Sequence, residues 1–155
     1  GGPTNGTDAG DPFAAPPAPT KVDRVKWGDL LNAVVLITPV TTEWTDNGFY
    51  KPEEPEGPKN RKQTKRATIN VVVLKGNLPP DENGEDRELP HVVTDMYTSA
   101  YSVVGQVESA QKKGQKMILA RVTRPEKSWI LADPTESDKK LARAYLTATP
   151  ADPFA

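Results

Sequence analysis

Residues 59–75, KNRKQTKRATINVVVLK, constrain the fold of this 155-residue chain more than any other stretch. From residue 66 onward Ala67, Ile69, Val71 and Val73 alternate with Arg66, Thr68 and Asn70. A period of two places these sets on opposite faces of a β-strand. Just before and into it, Lys59, Arg61, Lys62, Lys65 and Arg66 put five positive charges into eight residues. The stretch therefore predicts a basic loop feeding a strand with one apolar face and, in its first half, one cationic face. Such a surface suits a phosphate backbone. It equally suits a solvated charge run leading into an ordinary half-buried strand.

The neighbouring segments supply partners for that strand. Residues 33–40 (AVVLITPV) are β-branched and apolar, which predicts a buried strand ended by Pro39. Before it, Trp27, Leu30 and Leu31 suit a short helical turn within 25–32. Residues 41–65 read as a long connection holding Asn47-Gly48, three prolines, the acidic cluster Glu53, Glu54 and Glu56, and the aromatics Trp44, Phe49 and Tyr50. A loop of that length in a compact domain is functional or disordered. A polar turn around Asn83-Gly84 precedes a third strand at 89–98. Ala100, Val103, Val104, Val107 and Ala110 then form an apolar helical stripe, closed by Gly114. Strands follow at 117–123 and 128–132.

The last element is a helix over 134–146. Asp133 serves as its N-cap, Pro134 as its first residue and Glu136 as N3. Leu141, Ala142, Tyr145 and Leu146 would form its buried side. The order strand, strand, strand, helix, strand, strand is that of the OB-fold, a five-stranded, partly open Greek-key barrel. The expected class is mainly β with two helices. Residues 1–20 form a Pro/Gly-rich disordered arm, 21–133 the OB-fold domain, 134–146 a helix packed on it, and 147–155 a flexible tail. An irregular β-sandwich is the other architecture compatible with this order.

Composition narrows the function. Sixteen prolines, 11 glycines and 35% hydrophobic residues fit one domain with part of the chain outside its core. The net charge of −1 hides segregation: residues 57–127 carry 13 Lys/Arg against 8 Asp/Glu, while residues 1–56 carry 4 against 9. The middle can hold phosphates while the ends repel them. The absence of cysteine excludes disulfides and thiolate zinc sites and fits a reducing cytoplasm, the expected location. No apolar run is long enough to cross a membrane and no secretory leader pattern is present, so no membrane partner is expected.

Catalysis has little to work with. The single histidine, His91, reads as a surface or packing residue, and the carboxylates at 53–56 and 81–86 as solvated turns. No P-loop, dinucleotide motif or nucleophile elbow is found, and no metal or other cofactor is called for. Binding is better supplied. Single-strand recognition needs cations along phosphates and rings against bases. The cations are Lys59, Arg61, Lys62, Lys65 and Arg66, with Lys112, Lys113, Lys116, Arg121 and Arg124, and Thr68 and Asn70 extend the polar face of the strand. The rings are Trp44, Phe49, Tyr50 and Tyr97. Tyr101 and Trp129 are further candidates that also suit a core, Trp129 above all.

Asp11-Pro12-Phe13-Ala14 recurs as Asp152-Pro153-Phe154-Ala155. The second copy resembles the acidic, Phe-bearing tip with which bacterial single-stranded DNA-binding proteins recruit partner enzymes, although it has one acid and ends in Ala. The chain as a whole resembles the single-stranded DNA-binding proteins of phages infecting actinobacteria. The resemblance rests on DPFAAP, on LLNAVVLITP with ATINVVVLKG, and on WILADPTESDKKLARAYL, together spanning residues 11–146. It implies an OB-fold that coats single-stranded DNA during phage replication or recombination. It also implies replication or recombination proteins as partners through Asp152, Pro153 and Phe154, and a 1–2 loop shorter and less charged than residues 41–65. A homo-oligomer is compatible with this reading. The rival reading is a protein-interaction or virion-associated β-barrel, with the Pro-rich arms and helix 134–146 docking on other proteins.

Overall fold

Two long β-branched segments pair to make the spine of the protein, β1 (Val34–Asp46) and β2 (Gln63–Lys75). They run antiparallel from Val34 opposite Lys75 to Asp46 opposite Gln63. A computed structural model describes residues 24–149. Within it, a 3₁₀ turn (Trp27–Leu30) precedes β1. Then follow β3 (His91–Thr98), α1 (Tyr101–Lys112), β4 (Ile118–Thr123), β5 (Ile130–Ala132) and α2 (Glu136–Ala148). The protein is mainly β: one five-stranded antiparallel sheet, ordered β3-β2-β1-β4-β5, with two helices. The arm 1–20 and most of the tail 147–155 lie outside the described residues.

The ladders leave β3 and β5 as two edges, so the sheet is open where a closed barrel would join them. β5 is only three residues long, and all three pair with β4. The flank of β3 instead faces residues 24–28 across a groove of about 820 Å³.

The sheet is covered on both sides. On one, α1 brings Val103, Val104 and Val107 onto Val35, Ile37, Ala67, Ile69, Val71 and Val73, joined by Trp27 and Leu30 from the 3₁₀ turn. On the other, α2 brings Ala142 and Tyr145 onto Val34, Leu36, Val72 and Leu74. This explains why Val71–Val72–Val73–Leu74 is a continuous apolar run: that half of β2 is buried on both faces, and the alternation survives only toward its start. Each of the four aliphatic residues under α2 is buried. At about 1.5–3 kcal/mol per buried side chain, that face makes a large contribution to stability.

Three expectations are corrected. β1 does not end at Pro39 but continues to Asp46, with a register shift between Pro39 and Thr41. Proline is tolerated there because the β1–β4 ladder stops at Ile37 opposite Ile118, so its missing N–H falls where β1 has one neighbour. The connection 41–65 is thus strand at both ends, over 41–46 and 63–65, and the loop shortens to residues 47–62.

The cap of α2 is Thr135, not Asp133. Thr135 Oγ1 accepts from the Asp138 N–H at 3.1 Å and the Thr135 N–H donates to Asp138 Oδ2 at 2.9 Å. The shift follows from Asp138, which is buried against Arg121 and so has to occupy N3. The buried side of α2 is also narrower than expected, since Leu141 and Leu146 are exposed.

Gly114 does end α1, in the left-handed region at φ +72°. The Gly114 N–H donates to Gln111 O and the Gln115 N–H to Ala110 O, the paired bonds of a glycine-terminated helix.

Candidate nucleic-acid interface

Beyond Ile37 strand β1 leaves β4, and before Ala67 strand β2 has no β3 partner. What remains is a two-stranded arm, Thr42–Asp46 against Gln63–Ala67, that carries much of the cationic cluster. A lone hairpin is marginal in water. This one is braced by Glu108 of α1. Lys65 Nζ donates to both carboxylate oxygens, at 3.1 Å to Oε1 and 2.9 Å to Oε2, and Thr42 Oγ1 donates to Oε2 at 3.3 Å. The Lys65 hydrogen bond holds the Glu108 carboxyl below its ordinary value, against the opposing effect of burial.

The loop at the end of the arm is rich in proline, which cannot donate, so its backbone is satisfied by two asparagines. Asn60 Nδ2 donates to the carbonyls of Lys51, Glu54 and Pro55, and the Lys51 N–H donates to Asn60 Oδ1. Asn47 Nδ2 donates to Arg61 O at 2.7 Å, and its Oδ1 accepts from the Phe49 N–H. The long loop is therefore built, and it presents its cations from fixed positions.

The predicted residues divide between the faces of this arm. On the α1 face, Trp44 stands opposite Lys65, whose Nζ lies 5.1 Å from the indole centroid. Trp44 is 58% exposed. It borders a cleft of about 350 Å³ whose other walls include Tyr101, Ser102 and Glu108. Tyr101 is 87% exposed and is no core residue. Arg61 reaches the rim of this cleft and also a second one, of about 380 Å³, where Arg61 and Lys62 meet Asp46 and Glu56.

On the opposite face Arg66 Nη2 donates to Glu43 at 2.6 Å, and the guanidinium lies 4.1 Å from the Tyr97 centroid. At the tip, Lys62 approaches Tyr50 at 5.9 Å and Phe49 is 90% exposed.

The cations differ in how far they are already neutralised. Lys65 and Arg66 have carboxylate partners, in half-exposed pairs of a kind worth about 0–1 kcal/mol. Among the described residues, Lys59, Arg61 and Lys62 pair with no carboxylate. These three are the arm's cations without an ion pair, although Arg61 and Lys62 share a cleft wall with Asp46 and Glu56.

Other expected residues have different surroundings. Thr68 is only 7% exposed, covered in the sheet between Thr41 and Tyr97, and so offers no surface contact. Asn70 Oδ1 accepts from the Asp95 N–H at 2.9 Å, which pins a bend in β3 where Asp95 has φ +55°. Arg121 makes two hydrogen bonds to Asp138, at 2.6 and 2.8 Å, and is the anchor of α2.

Arg124 lies over Trp129 at 5.1 Å, and Trp129 packs edge-on against Trp27 at 5.8 Å. That group sits at the opposite end of the sheet from Trp44, about 40 Å away along the strands. Lys112, Lys113 and Lys116 are exposed at the end of α1 and in the turn that follows. Of these, Lys112 is near enough to Glu108 to help lower its pKa. Asp152, Pro153 and Phe154 lie outside the described residues.

Glu108 is the residue that sequence reasoning missed. Its signal was present: Tyr101, Val104, Glu108 and Lys112 recur at helical spacing along one border of the apolar stripe. Tyr101, Val104 and Lys112 were each singled out for a ring, a core contact or a charge, and the carboxylate between them was passed over. No family model, no curated protein and no solved structure matches the chain.

Proposed function

We propose that the chain is a single-stranded DNA-binding protein of low sequence specificity, built as a partly open OB-type barrel and coating unpaired DNA during replication or recombination. The observation that carries this reading is the pairing on the arm of an exposed indole, Trp44, with cations outside any ion pair close beside it. Phosphates follow Lys59, Arg61 and Lys62, and bases stack on Trp44 and Tyr101. Tyr97, backed by Arg66, offers a further ring on the other face. Stacking contributes about 1–3 kcal/mol per base and accepts any base, which gives affinity without strong selectivity. Lys65 and Arg66 keep the rings in place and can exchange carboxylate for phosphate. Arg121 and Thr68 have no part in this interface, for the reasons given above.

A second reading draws on the outer edge of β3, which pairs with no further strand among the described residues, and on the groove beside it, lined in part by Val25, Trp27, Val92 and Met96. Such an edge next to a partly apolar groove suits addition of an extended peptide strand, as expected of a protein-interaction module. Fluorescence anisotropy of a labelled single-stranded oligonucleotide at low salt separates the two readings. Saturable binding that weakens as salt is raised supports the first. No binding at low salt overturns it and leaves the second.

A further inference from the structure

We infer that the cleft between Trp44 and Tyr101 accepts one unpaired base at a time, and that Glu108 on its wall makes it favour bases carrying an exocyclic amine over thymine. This rests on the proposed function and adds a preference to it.

The cleft, at about 350 Å³, lies at the small end of the range for small-molecule sites, enough for a base but not for a stretch of strand. Its exposed rings offer stacking faces, but a ring does not tell one base from another. Glu108 does. An ionised carboxylate has about four acceptor positions and no donor. Lys65 occupies one on each oxygen and Thr42 another on Oε2, which leaves capacity on Oε1. The side chain is 25% exposed, so that capacity is reachable. The Lys65 ammonium keeps the group ionised through the neutral range.

Glu108 offsets the charge of Lys65 in the cleft, so phosphate gains less there than along Lys59, Arg61 and Lys62, and the cleft takes the base. Cytosine, adenine and guanine present amine donors that a carboxylate can accept, and cytosine N4 is a recognised partner of Glu. Thymine presents carbonyl oxygens at the corresponding positions, which a carboxylate disfavours.

The test compares oligo(dC) with oligo(dT) of equal length, two pyrimidines of nearly equal stacking area, by anisotropy at fixed salt. The wild-type chain is expected to bind oligo(dC) about fivefold more tightly, the low end for a contact of this kind because the site is partly exposed. Glu108→Gln, whose amide both donates and accepts, is expected to reduce the preference to within about twofold, mainly through tighter oligo(dT) binding. Thr42→Val, which removes a brace but keeps the carboxylate, is expected to retain the preference.

Equal wild-type affinity for the two oligonucleotides overturns the inference and leaves the proposed function standing, and this comparison needs no variant to fold. An unchanged preference in Glu108→Gln overturns the role of that residue. Failure to bind either oligonucleotide overturns the proposed function and this inference with it.

Discussion

Replacing Lys59, Arg61 and Lys62 together by alanine removes the cations of the arm that have no ion pair. Each phosphate neutralised on a single strand contributes about 0.7 to the slope of log affinity against log salt, through release of condensed counterions. Three such contacts amount to a slope of about 2. Over a fourfold rise in salt, from about 50 to 200 mM, the wild-type chain should therefore lose roughly 20-fold more affinity than the triple variant.

Lys65 and Arg66 behave differently. Their charges already face Glu108 and Glu43, so a phosphate there displaces a carboxylate and the net charge neutralised is smaller. A Lys65→Ala, Arg66→Ala double variant should flatten the slope by less than half as much. The assay is anisotropy of a labelled oligonucleotide across a salt series at constant pH. Since the three loop side chains are exposed, the thermal midpoint should hold in the triple variant, within about 0.5 kcal/mol of stability. An unchanged slope in the triple variant, or a larger change in the double variant, would refute the assignment of phosphates to the loop.

Other expectations concern the fold that carries the arm. Thr135→Ala removes the cap of α2 and should cost about 1 kcal/mol in urea unfolding, whereas Asp138→Ala also leaves Arg121 without its partner and should cost roughly 2–3 kcal/mol. Neither should alter the salt slope of DNA binding.

Acid should weaken the fold in a defined direction. Hydrogen bonds from Arg121 hold the Asp138 carboxyl below its ordinary value, and Lys65 does the same for Glu108. The unfolded chain therefore takes up these protons first, at a pKa of about 4. The stability due to these pairs is complete above that pKa and is lost as pH falls through the lower, folded values. Urea midpoints measured from neutral pH into acid should fall below about pH 4, and less steeply in Asp138→Asn.

Much of the fold was legible because it depends on local pattern. The alternation in β2, the β-branched run of β1, the apolar stripe of α1 and the glycine after it each specify an element without reference to the rest of the chain. The misreadings arose where a distant partner decides. Pro39 ends a strand by local rules, but it survives within β1 because β4 has already departed. Asp133 is a good cap by local rules, but a buried carboxylate on Arg121 fixed the register of α2 two residues later. For the same reason Arg121 could not be told from a surface cation, since nothing in its own segment announces Asp138.

The candidate site was legible in its ingredients but not in its arrangement. Charge and rings along 44–66 were evident. Their division between two faces of an arm, and the brace from Glu108, required the strand register and the packing of α1. Closure of the sheet was not legible either, because the three-residue length of β5 depends on where β4 ends.

Intrinsic tryptophan fluorescence tests the central claim most directly. Trp27 is buried and Trp129 is half-buried at the far end of the sheet, so of the three tryptophans only Trp44 can stack with a strand held on the arm. Adding oligo(dC) at low salt should quench the wild-type emission. Trp44→Leu should abolish most of that quenching and weaken binding by about 1–3 kcal/mol. An unquenched wild-type chain, or equal quenching in Trp44→Leu, would contradict the account.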